Sequence, residues 1–364
     1  MENNKFYVVK SSESSPMVDT LRTVADLNYD EVLTFFSFHL LPRSLGRQAR
    51  CIRDFCDDTP STRDDVRLND LDKTLSYGGH HPIAWVSDRN WHPDPPKSCV
   101  DSHKPYDRVL GNKDLLSILQ TSRVSINGHD VKTGPPRRIY INKPDGCSIL
   151  ALIRTTPPSQ VPGFRELLAN YITEAPKPVM SSREIFWWGS MSFVFSFNLP
   201  FFAISTQSQQ DTRALCRGKR PLRARYDLSF LQLENSEHYF HEGVEPSSSE
   251  LFLLEGVCSV VVTGQSSQYW TAACLNDDLY DDMDEPRLST EEDTEPIDGE
   301  TDPIILKVDY KPQSPRAYAL AALATTLAKI VDYHKDIQDA FGTSLSYHAT
   351  TPLNVSLQTR FRTG

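Results

Sequence analysis

The chain has 364 residues, 39% of them hydrophobic and 24% charged, a composition that fits one large folded core or two ordinary ones and excludes a disordered or fibrous chain. Its formal net charge of −10 is unevenly placed: the stretch Asp277 to Asp302 holds 13 acidic residues and one arginine, Arg287, a net −12 that leaves the rest of the chain near +2. An acidic total argues against a nucleic-acid partner, because neutralising phosphates takes a net basic face.

Residues 1–17 are polar, with SSESSP at 11–16, and are expected to be ragged. The first residues, MENNKFYVVKSSESS, lack the basic, apolar and small-residue succession of a secretory signal, and the 7 cysteines form no framework of spacings. Together these lead to the expectation of a reducing, cytoplasmic setting. Residues 18–130 read as a helical and loop-rich region. VLTFFSFHLL is an apolar run, and Leu45, Ala49, Ile52 and Phe55 follow at helical spacing. Between 57 and 106 the segments SYGGHHP, WHPDPP and SHKPYD crowd turn formers together. A short helix from Asp114 to Gln120 and a hairpin around Asn127-Gly128 complete this part.

Residues 131–313 are expected to form a mixed domain. RRIYINKPD at 137–145 reads as a strand and CSILALI at 147–153 as a second, fully buried one. Residues 162–172 form an amphipathic helix with Phe164, Leu167, Leu168 and Tyr171 on one face. The stretch 185–205 carries no charge and has the length of a membrane span. However, Met191, Phe193, Phe195, Phe197 and Leu199 alternate with Ser190, Ser192, Ser196 and Asn198, which is the period of a strand, so no transmembrane segment is expected. Short strands follow at 222–231, 250–257, 258–264 and 269–275. The fold class predicted is α+β, close to α/β, with a mixed sheet flanked by helices.

The last element is a long helix over 314–342, followed by a flexible tail at 343–364. Ser314 is a natural N-cap and Pro315 a natural first residue, and Gly342 supplies a stop. Leu320, Leu323, Leu327, Ile330, His334, Ile337 and Phe341 form a seam that can pack on the sheet or on a partner helix, which makes a homo-oligomer through the 320–341 helix one expectation.

The acidic loop at 276–302 is the one plausible ion site. Hard divalent cations such as Mg²⁺ or Ca²⁺ want several carboxylate oxygens, and Asp278, Asp282 and Asp284 are the candidate ligands. The spacing is not that of an EF-hand, and a solvated, self-repelling loop is the alternative. Upstream, Arg213, Arg217, Lys219, Arg220, Arg223 and Arg225 form a basic run, of which Arg217, Lys219, Arg220 and Arg223 are candidates for binding an anion or partner; the alternative is that the run pairs with the acidic loop across the fold or between subunits. No histidine or cysteine pair has zinc-site spacing, and the glycine-rich phosphate loops and the nucleophile elbow are absent. No catalytic or cofactor-binding residue is assigned. A hydrolase-type site in the His/Asp/Trp-rich loops 80–103 is the competing reading.

LRARYDLSFL, the EGVCSVVVTG strand pair, WTAACLNDDLYDD, Asp302-Pro303-Ile304 and the helix from Ser314 together resemble the cytosolic domain of fungal CorA-like magnesium transporter proteins over about 137–341. In that family the long helix leads to two membrane helices with a Gly-Met-Asn motif, and neither Gly-Met nor Met-Asn occurs in this sequence. The resemblance therefore implies a non-catalytic binding or regulatory module without transport activity.

Overall fold

A computed structural model describes residues 43–57, 83–91, 106, 109–121, 123–127, 130–187, 190–205, 211–215, 220–231, 251–278, 302–305 and 314–350. Its helices are α1 (Arg43–Asp57), α2 (Asn112–Gln120), α3 (Gly146–Thr155), α4 (Val161–Tyr171) and α5 (Pro315–Thr350). The principal strands are β1 (Ile83–Val86), β4 (Arg137–Asn142), β5 (Val179–Trp187), β6 (Ser190–Ser205), β10 (Phe252–Gly264) and β11 (Trp270–Asn276). Shorter ones are β2 (Val124–Asn127) paired with β3 (Asp130–Thr133), β7 (Ala214–Leu215) paired with β8 (Arg220–Pro221), and β9 (Arg225–Asp227).

The sheet runs β1-β4-β11-β10-β6-β5, with β9 beside the start of β10. Only β4 and β11 are parallel, so the sheet is mixed. Its middle strand explains the rest. β10 is covered on both faces, which is why Val257 to Val262 reads as a nearly unbroken apolar run. Val257 and Val261 point into one core with Ile139, Ile141, Ala273 and Leu275, roofed by α1 to α4. Cys258, Val260 and Val262 point into the other with Trp270, Phe197 and Tyr318, roofed by α5. The architecture is helices, sheet, helix. α1, β1 and α2, which precede residue 130, share the first core with the later elements.

Several boundaries differ from the sequence expectation for identifiable reasons. Residues 147–153 form α3, not a strand. Asp145 accepts from the Ser148 amide at 2.8 Å while Ser148 Oγ accepts from the Asp145 amide at 2.9 Å, a capping box that starts a helix, and burial on nearly every side hides its period. Asp145 also accepts from Asn112 Nδ2 at 2.9 Å, tying α3 to α2. Asp145→Ala should therefore cost about 1–2 kcal/mol, read as a lower urea midpoint at unchanged slope. The strands expected at 250–257 and 258–264 are one, because Gly256 sits under the Phe201 ring and lets β10 continue past it. Within 222–231 only Arg225–Asp227 is a strand.

The charge-free stretch is a hairpin. β5 and β6 pair antiparallel from Trp187↔Ser190 to Val179↔Asn198. The polar members of the alternation are not solvated: Ser192, Ser196 and Asn198 are buried on the α4 side. Ser192 Oγ donates to the Ser159 carbonyl at 3.1 Å and Ser196 Oγ to Glu166 Oε1 at 2.5 Å. Among the described residues no helix is long and apolar enough to cross a membrane.

α5 is about 54 Å long at 1.5 Å per residue and begins as expected, with Ser314 Oγ accepting from the Ala317 amide at 3.2 Å. It does not stop at Gly342, which takes no left-handed conformation and lies in open space on a helix that continues to Thr350. The face against the sheet takes only part of the leucine seam: Leu323 and Ile330 pack half-buried on the second core, while Leu320, Leu327 and Phe341 are exposed. Tyr318, Ala319, Ala322, Thr326 and Tyr333 are buried there, the alanines allowing close approach, with Tyr318 against Trp270 at 5.1 Å and Tyr333 stacked on Phe201 at 4.9 Å.

Candidate functional site

The acidic segment begins at the end of β11, and strand geometry decides where its first residues point. Successive side chains alternate faces, so Asp277 enters the α4 side and Asp278 the α5 side. The Asp277 amide donates to the Val257 carbonyl at 3.0 Å, extending the pairing of β11 with β10 by one residue.

Asp277 is 1% exposed. Its Oδ1 accepts from the Tyr171 hydroxyl and lies 2.8 Å from Arg213 Nη1, while its Oδ2 accepts from Arg223 Nε and, at 3.1 Å, from the Val257 amide. The donors are themselves fixed. Arg213 makes a fork to Asp211 at 2.9 and 2.8 Å, and Arg223 donates to the Tyr171 carbonyl at 3.0 Å with its guanidinium over the Tyr171 ring. Two carboxylates thus face two guanidiniums in a buried, neutral cluster.

Burial alone would raise the Asp277 pKa, but the Arg213 and Arg223 charges and the bonds from Tyr171 and Arg223 outweigh it and hold the carboxyl down at about 2, against an ordinary 3.8. Burial pushes the Tyr171 phenol well up, which keeps it a donor. Because the folded value of Asp277 is depressed, its contribution is present above pH 3.8 and is lost as pH falls towards 2. Acid should therefore remove about 2 kcal/mol of stability over that window, and Asp277→Asn should flatten the dependence in acid-titrated urea unfolding.

On the other face Asp278 accepts from the Tyr333 hydroxyl at 2.9 Å and from Lys329, both on α5, and its amide donates to Asn142 Oδ1 at 2.9 Å. The segment's far end is held likewise. Asp302 accepts from Arg138 Nη1 and from the Tyr318 hydroxyl, each at 2.9 Å, and from the Ile304 amide at 3.0 Å. Burial raises the Asp302 pKa against the pull of Arg138, so it takes its proton more readily folded than unfolded and adds no lability to acid. Both ends of the acidic segment are thereby clamped to the sheet, and Asp278 and Asp302 also to α5.

Of the three expected cation ligands, Asp278 lies in this clamp, where a cation would have to displace Lys329; Asp282 and Asp284 lie outside the described residues. Among the described residues no group of three His, Cys, Asp or Glu is placed to hold a metal ion. The expected basic patch divides. Arg223 is buried against Asp277, Arg220 faces solvent 4.0 Å from Glu174, and Arg217 and Lys219 lie outside the described residues. Pairing of this run with the acidic segment, one of the two readings offered by the sequence, is what Arg213 and Arg223 do.

In the 80–103 stretch, Trp85 and Asp88 are buried, the latter between Arg123 and Arg137, and His80, His81, His92 and His103 lie outside the described residues. The tyrosines of the clamp, Tyr171, Tyr318 and Tyr333, were not picked out as polar partners by sequence, since each also fits an apolar helix face. Arg138 was available from strand period alone: consecutive Arg137 and Arg138 must face opposite sides, and they meet Asp88 and Asp302 respectively.

Comparison with protein-family models, curated proteins and solved structures gives no match for this chain.

Proposed function

We propose that the chain is a non-catalytic binding or regulatory module built on a CorA-like cytosolic domain, and that it assembles with copies of itself through α5. The observation that carries this reading is the outer face of that helix. Leu320, Ala324, Leu327, Val331, His334, Gln338, Phe341 and Leu345 are all exposed, and their spacing alternates four and three over the helix. That is the seam of a two-helix supercoil, and a helix held to its own domain by the opposite face has no need of it.

Leu320 at 60%, Val331 at 51% and Leu345 at 69% exposure are costly unless covered. A second copy fits because the pattern matches itself, and the polar pair His334 and Gln338 sets the register as buried polar seam residues do. Leu323 and Ile330, half-buried beside the stripe, pack on the domain's own core and leave the exposed residues to the partner. The succession of mixed sheet, acidic segment and long helix supports the CorA-like reading, and the clamp couples that segment to the assembling helix through Lys329, Tyr333 and Tyr318. Sedimentation of the full chain tests the proposal, with a mass above one 41.2 kDa chain expected.

A further inference from the structure

Under α5 the sheet holds two thiols in contact. β10 and β11 pair with Cys258 opposite Asn276 and Val260 opposite Cys274, so the two cysteines lie on a diagonal of the ladder and on one face. The right-handed twist of a sheet draws one diagonal of each such square together, and here it is this one. The Sγ atoms are 3.8 Å apart, and Cys258 and Cys274 are 5% and 3% exposed. Val260, Val262, Ala272 and Ala322 share the same core.

The directions of the bonds follow from one proton. Thr326 on α5 donates its hydroxyl hydrogen to the Ala322 carbonyl at 2.9 Å, which leaves Oγ1 an acceptor towards Cys258 Sγ at 3.7 Å. Cys258 is therefore the donor to Thr326, and its sulfur accepts from the Cys274 thiol. The bond to Cys258, with burial, pushes the Cys274 thiol well up, as befits a thiol that donates. A relay thus runs from Cys274 through Cys258 and Thr326 to the Ala322 carbonyl, from the sheet into the helix. It exists only while both sulfurs keep their hydrogens.

We propose that Cys258 and Cys274 form a redox modification site, at which a small peroxide converts the pair to a disulfide and thereby loosens the middle of α5 from the sheet. One sulfur attacks a peroxide oxygen, the S–O bond forming as the O–O bond breaks, and its hydrogen leaves with the departing hydroxide as water. The second sulfur then attacks the first, the S–S bond forming as the S–O bond breaks, and the remaining hydrogen leaves in a second water. Two thiols are oxidised and one peroxide is reduced to water. Closing the pair from 3.8 Å to the roughly 2.0 Å of a disulfide removes the hydrogen that Cys258 gives to Thr326. β10 and β11 stay paired, since their ladder already joins them.

Buried thiols react slowly, so the reaction waits on a local lifting of α5, which also admits the peroxide. The site does not depend on assembly through α5.

Hydrogen peroxide added to the reduced full chain tests it, read by peptide mass and by amide hydrogen exchange. The chain has 7 cysteines, but residues 226–286 hold no lysine or arginine, so trypsin leaves Cys258 and Cys274, and no other cysteine, in one peptide. That peptide is expected to lose two hydrogens, and amides at 322–333 on α5 to exchange about tenfold faster, both reversed by dithiothreitol. Cys274→Ala keeps the bond from Cys258 to Thr326 but cannot close, so its α5 exchange should not respond to peroxide. The proposal is overturned if the two sulfurs stay thiols or gain oxygen without joining. It is overturned equally if the disulfide forms with α5 exchange unchanged, or if Cys274→Ala responds to peroxide as the parent does.

Discussion

Replacing Asp277 with alanine is expected to cost about 3–5 kcal/mol. The reason is what the mutation leaves behind. Arg223 is 4% exposed at the side chain and Arg213 12%, and without Asp277 the first faces no carboxylate among the described residues while the second keeps only Asp211 there. A buried guanidinium cannot shed its proton to escape, so the desolvation cost stays. The Tyr171 hydroxyl and the Val257 amide lose their acceptor as well. Because β11, β10, α4 and the β7–β8 hairpin all meet at this carboxylate, the loss should appear as a global fall in urea stability. A cost under about 1 kcal/mol would show that the cluster is solvated in solution.

The second large effect concerns α5. Leu327→Asp should leave the fold intact and weaken assembly about a thousandfold, since the residue is 44% exposed in the single chain but buried, facing its counterpart, in a paired seam. Tyr333→Asp should do the reverse: Tyr333 is 2% exposed, stacks on Phe201 and donates to Asp278, so its loss unfolds the domain. Circular dichroism and melting of the two variants separate the faces. A Leu327→Asp chain that melts as badly as Tyr333→Asp would place the stripe within the domain's own core.

The parts of the fold legible in sequence were those governed by one local rule. The alternation at Met191 to Leu199 gave β6, and Ser314-Pro315 gave the start of α5. Where burial is two-sided the period vanishes, which is why α3, apolar nearly all round, read as a strand and only its Asp145-to-Ser148 cap betrays it. The seam on α5 was visible as a repeat, but a repeat does not say which face meets the sheet. That is decided by Ala319 and Ala322, small enough for the helix to lie close, and by two tyrosines whose rings match Trp270 and Phe201. The clamp was half legible. Charge counting offered pairing of the basic and acidic runs as one of two readings, whereas the selection of Arg213, Arg223 and Asp277 from among many charges depends on which of them the sheet turns inward.

The central claim, assembly through the exposed face of α5, is tested most directly by sedimentation velocity of the unmodified full chain over a dilution series at micromolar concentration, beside Leu327→Asp. The account predicts a species of at least two 41.2 kDa chains for the parent and one chain for the variant. A parent that sediments as a single 41.2 kDa chain at every concentration, indistinguishable from Leu327→Asp, would contradict it.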